Sequence, residues 1–149
     1  MAVNRTVQAI FDKAMYLMDA QNESTGNTDT SDTREYKVRT IGILNNLLDL
    51  VYPASDTFAI GGDGKRPALD DITGFEDELD LDARILRDVL PNGLAAKLLS
   101  EENPSLADYF QQCFEQSLAE ARARIPACFE SIEDGLPYGG IEYGEFGCW

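Results

Sequence analysis

The sequence predicts an all-α protein: a small bundle of about four helices followed by a long irregular C-terminal tail. Three observations carry this. Leu106, Phe110, Cys113, Phe114, Ser117, Leu118, Ala121 and Ile125 recur at spacings of three and four, which is one face of an amphipathic helix and does not fit a strand's period of two. A second apolar face, made by Ile85, Leu86, Val89, Leu90, Gly93, Leu94, Ala96, Leu98 and Leu99, lies just upstream. After Pro126 the pattern dissolves into glycines and aromatics.

In chain order, the first helix is expected from about Thr6 to Asp19, with Val7, Ile10, Phe11, Ala14, Leu17 and Met18 inward. Met15 and Tyr16 flank that stripe; plain core packing is the expected role for each, and contact with a neighbouring subunit is the alternative. Gln21 to Asp32 is polar and free of large apolar residues, so it reads as a mobile loop. It is not a calcium loop: counted from Asn27, the required glycine is Asp32 and the terminal glutamate is Val38.

A second helix is expected from Asp32, with Glu35 completing a capping box, to about Tyr52, stopped by Pro53. Tyr36, Ile41, Ile43, Leu44, Leu47, Leu48, Leu50 and Val51 cover more than half its circumference. That places it at the centre of the bundle, or between its own core and another chain. Arg34, Lys37 and Arg39 sit at the wrong end for the helix dipole, which hints at a use elsewhere; a Glu35–Arg39 pair is the simpler alternative. Pro53 to Pro67 is glycine-rich and expected to form a mobile finger, with a short strand at Thr57 to Ile60. A phosphate-binding loop fails there, because Ala59 stands where the first glycine belongs and Arg66 where Ser or Thr must follow the lysine.

Asp70 to Asp82 holds seven acids and no base. Acids favour the approach to a helix N-terminus, and an outward acidic belt suits a basic partner. Asp80 or Asp82 can cap the third helix, and Pro91 should kink that helix without ending it, since the apolar period carries through. Glu101 to Asn103 turns the chain into the fourth helix, with Asn103 as N-cap, Pro104 at the first helical position and Pro126 marking the end. The pair should pack as an antiparallel αα-hairpin.

Composition narrows the function. At 149 residues the chain suits one bundle domain over residues 1–126, with residues 127–149 as an extended docking tail. No run approaches a membrane span, and the start lacks a secretory pattern. Histidine is absent and the three cysteines, Cys113, Cys128 and Cys148, are scattered, so no metal site, cofactor site or disulfide framework is expected, and a reducing compartment fits. No catalytic constellation is present: there is no histidine base, no nucleophile elbow and no partner for a cysteine. The formal charge of −15 disfavours wrapping around a nucleic-acid backbone or an anionic membrane. Tyr138, Ile141, Tyr143, Phe146 and Trp149 make the tail unusually aromatic; they are the expected partner-binding residues, and folding back on the chain's own bundle is the alternative. Burying them does not by itself offset the backbone entropy of ordering the tail; main-chain bonds to a partner, or a contact repeated around a ring, would.

The run LPNGLAAKLLSEENPSLADYFQQCFE resembles the helix pair of small tailed-phage and prophage proteins encoded among virion-assembly genes, and the ending YGGIEYGEFGCW resembles their tails. On these stretches the chain resembles the head–tail connector (adaptor) proteins. The resemblance implies a virion protein of the phage neck, assembled in the host cytoplasm as a homo-oligomeric ring, a dodecamer, between the portal protein and a stopper or tail protein. DNA would cross its lumen without specific binding, and the tail would reach the portal or an adjacent subunit. The alternative from charge alone is an acidic DNA mimic or regulatory binding protein, which needs its acids spaced like phosphates on one rigid face; here many fall in expected loops.

Overall fold

The computed structural model describes residues 2–20, 22–55, 64 and 68–124. Among them the chain forms four α-helices and no strand: α1 (Val7–Leu17), α2 (Arg34–Val51), α3 (Leu90–Leu98) and α4 (Pro104–Ala123). A 3-10 turn, Tyr52–Ala54, follows α2, and a π-helical turn, Ile85–Val89, leads into α3. The expected all-α bundle is therefore what the chain builds.

Its centre is α3, which corrects the first of the two places expected for α2, the centre of the bundle, and leaves the second, between its own core and another chain. Every residue of α3 except Lys97 is buried, and α3 packs against each of the other three helices. On α2 the inward face is Thr40, Leu44, Leu47, Leu48 and Val51, whereas Val38 is 78% exposed and Leu50 51%. Its apolar residues span more than half the circumference, and the described neighbours cover only one side of it. Gly93 lets the central helix sit close to α2 and α4: a Cβ there would lie 2.8 Å from the Phe114 ring and 3.1 Å from Leu47.

The helix α1 starts as expected. Thr6 caps it, its hydroxyl accepting from Ala9 N at 3.3 Å. The stripe Val7, Ile10, Phe11 and Ala14 is buried and Met15 joins it, but Tyr16 is exposed, contrary to the core role expected for it. A helix's first N–H groups need outside acceptors. The segment before α3 supplies two: Val7 N donates to Asp77 O at 3.0 Å and Gln8 N to Phe75 O at 2.9 Å. Thr6 and Glu78 form an antiparallel bridge, and Leu79 N donates back to Arg5 O at 2.9 Å. The acidic stretch thus straps the start of α1. Asn45 on α2 anchors the strap by pairing its amide with both peptide groups of Ile72, at 2.7 and 3.1 Å.

The start of α2 differs from the capping box. Thr33, not Asp32, is the N-cap residue and makes no side-chain cap bond. Its buried hydroxyl instead donates to Thr28 O, which closes the preceding loop. That loop is tied to both helices: Thr28 Oγ1 donates to Asp12 at 2.6 Å and Lys37 pairs with Asp29 at 2.9 Å. Arg39 reaches the carbonyl of Lys97 at 3.4 Å rather than Glu35. The strand expected at Thr57 to Ile60 lies outside the described residues, as does most of the glycine-rich finger.

Pro91 does what its chemistry requires. It has no N–H to give the previous turn, and the helix widens just ahead of it: Leu90 N bonds Ile85 O, five residues back. The helical path continues into α3. Asp82 N donates to Ser55 Oγ at 3.1 Å, and Asp82 O accepts from Leu86 N at 3.1 Å, opening this helix. Asn103 caps α4 as expected, accepting from Leu106 N at 3.2 Å. The buried face of α4 is Ala107, Phe110, Phe114, Ser117, Leu118 and Ala121; Leu106 and Cys113 are only half-buried.

Candidate interaction surface

With the core closed, the informative residues are those left outside it. Among the described residues four large hydrophobic side chains stand exposed: Tyr16 at 59%, Val38, Leu50, and Tyr109 at 58%. Each lies on a different turn of regular helix, so rigid backbone holds it in place. Lys13 Nζ sits 5.1 Å from the centroid of the Tyr16 ring, a cation–π contact that stiffens the ring. Tyr109 packs edge-on to Phe110, with centroids 5.4 Å apart. Hydrogen bonding to Cys113 one turn on, and the charge of that group, raise its hydroxyl pKa above the ordinary value.

Beside Tyr109 an open cleft of about 310 Å³ separates the π turn and the start of α3 from α4. Asp88, Asn92, Tyr109, Cys113, Gln116, Ser117 and Glu120 line it. The widened turn sets its floor: Asn92, almost fully buried, donates through Nδ2 to Asp88 O at 2.9 Å and to Asp88 Oδ1 at 3.0 Å. Arg84 pairs with Glu120, one of the lining residues. Cys113, expected on the core face, is a free half-buried thiol on this wall. Pro91 is the local signal of the widened turn, but no residue type marks Asp88 and Asn92 as cleft residues.

The sequence-predicted partner-binding residues Tyr138, Ile141, Tyr143, Phe146 and Trp149 lie outside the described residues. So do Cys128 and Cys148. Among the described residues no group of three or more Asp, Glu or Cys side chains is placed to hold a metal ion, and no helix is long and apolar enough to cross a membrane. Within the strap, Asp77 Oδ2 accepts from Thr73 N, Thr73 Oγ1 and Gly74 N at 2.8, 3.1 and 3.1 Å, and the two backbone bonds hold its carboxyl below the usual range. Asp80 pairs with Arg5 at 3.0 Å.

No family model, curated protein or solved structure matches the chain. What the described residues offer is a helical bundle around a buried core, apolar side chains presented on its helices, and a polar cleft, in a strongly acidic chain.

Proposed function

We propose that this chain is a non-catalytic virion protein, a head–tail connector (adaptor) that forms a ring between the portal and the stopper or tail and lets DNA pass through its lumen. The observation that carries the reading is the set of exposed apolar residues, Tyr16, Val38, Leu50 and Tyr109, on described helices that already share a buried core. Subunits of a ring need two such faces, one for each neighbour. The aromatic tail, Tyr138 to Trp149, adds a segment suited to docking on a partner's main chain. Acidity supports the same reading. A negative lumen does not grip phosphates, so a genome slides through it, while burial between subunits and bound cations offset the self-repulsion.

The test is solution mass by light scattering, for the chain alone and mixed with a candidate portal protein, with and without Tyr138 to Trp149. The full chain should join the portal in a ring-sized complex, and the truncated chain should lose that complex while keeping its helical spectrum. Unchanged assembly after truncation would remove the tail from the mechanism. A full chain that stays monomeric with every portal, stopper and tail protein offered would end the connector reading.

A further inference from the structure

The cleft beside the π turn has a chemistry that ring formation leaves unused. Its polar groups are mostly acceptors. Asn92 is 8% exposed, and because its Nδ2 faces two acceptors on Asp88, the other amide atom must be the oxygen. That Oδ1 has no hydrogen-bond partner among the described residues, yet it is not sealed away from the cleft. Asp88 is exposed and gives one carboxylate oxygen to Asn92, leaving the second open among the described groups. Glu120 accepts from Gln116 Nε2 at 3.4 Å and from Arg84, so its charge is already covered. The uncovered charge in the cleft is therefore that of Asp88. At the rim stands the exposed ring of Tyr109.

The geometry points to an arginine side chain presented by a partner protein as the occupant of this cleft, its guanidinium against Asp88 and Asn92 Oδ1 and its stem along Tyr109. A guanidinium brings five N–H donors in one plane and no acceptor, which answers a wall that has acceptors to spare. Its flat face also stacks on an aromatic ring. An anion would meet Asp88. An apolar side chain would strip water from Asp88 and Asn92 Oδ1 and give nothing back. A lysine ammonium answers the charge but not the plane. The chain's charge of −15 draws basic partner surfaces toward it at long range. This inference stands apart from the connector reading, since any basic partner protein would satisfy it.

The test is a titration of the full ¹⁵N-labelled chain with blocked tripeptides Gly-Arg-Gly, Gly-Lys-Gly and Gly-citrulline-Gly, and with free L-arginine. The arginine peptide should saturably shift the amide signals of Asp88, Asn92, Tyr109 and Gln116, with a dissociation constant on the order of millimolar and about tenfold tighter than the lysine peptide. The citrulline peptide, equal in shape but uncharged, should not bind. Asp88→Asn and Tyr109→Ala, both at exposed positions, should each weaken the arginine peptide about fivefold or more, while Asp49→Asn on α2 should leave it unchanged. Equal binding of arginine and lysine peptides, shifts spread over the whole acidic surface, or no saturable shift would each overturn the inference. Free L-arginine binding more tightly than the tripeptide would make this an amino-acid site and overturn docking. Should a variant not fold, the ligand series on the native chain decides alone.

Discussion

At the residue scale, two glycines on helices make opposite predictions. A Cβ at Gly93 would strike the buried Phe114 ring at 2.8 Å, and that ring is wedged against the central helix. Gly93→Ala should therefore destabilise the bundle by about 1–3 kcal/mol, read from urea unfolding midpoints. Gly42, in the exposed middle of α2, has nothing within 4 Å of its Cβ position. Gly42→Ala should stabilise by about 0.5–1 kcal/mol, because only helix propensity changes. Tyr36 makes a pH prediction. It donates to Glu102, and this bond, then burial, then the charges of Glu102 and Glu35, raise its pKa from 10.0 to about 12. A raised folded-state pKa contributes stability that is complete below the unfolded value and is lost as pH climbs to the folded one. The native chain should lose stability between pH 10.0 and about 12, and Tyr36→Phe should flatten that part of the difference curve.

At the element scale, the two hairpin helices and α1 were legible because each carries a one-sided apolar stripe, and such a stripe is local information. Which helix lies at the centre was not. The apolar positions of α2 outnumber those its neighbours cover, and only the assembled bundle reveals that the nine residues of α3 take the middle. Helix starts divide in the same way. Asn103 was readable as a cap and acts as one; Asp32 read as a cap because Glu35 follows it, but the Thr28–Thr33 contact moves the helix start one residue on. Substitution separates the two: Asn103→Ala should cost about 1 kcal/mol in thermal or urea unfolding, and Asp32→Ala less than about 0.5. The strap was illegible for another reason. It acts through the carbonyls of Phe75 and Asp77, and a main-chain acceptor leaves no mark on the sequence. The cleft was legible only in part: Pro91 signals a disturbed turn, but no residue type marks Asp88 and Asn92 as the pair it brings together.

At the scale of the whole molecule, charge is the dominant variable. With 27 acids against 12 bases, the folded chain concentrates a repulsion that the unfolded chain relaxes. Salt screens it with a Debye length of about 10 Å at 0.1 M, so added salt should raise the melting temperature, each kcal/mol recovered being worth about 2–4 °C. A flat response in calorimetry would mean the acids are already compensated. The strap has a consequence of its own, one of timing. Arg5 and Asp80, held together in the finished protein, are separated by 75 positions along the chain. On the ribosome α1 is complete long before its closing segment has been made, so the first helix must wait, its leading amides bonded to water, until residue 80 emerges. Pulse-labelled hydrogen exchange should find the amides of Val7 and Gln8 among the last to gain protection, after those of the α3–α4 hairpin, whose two halves are synthesised almost side by side.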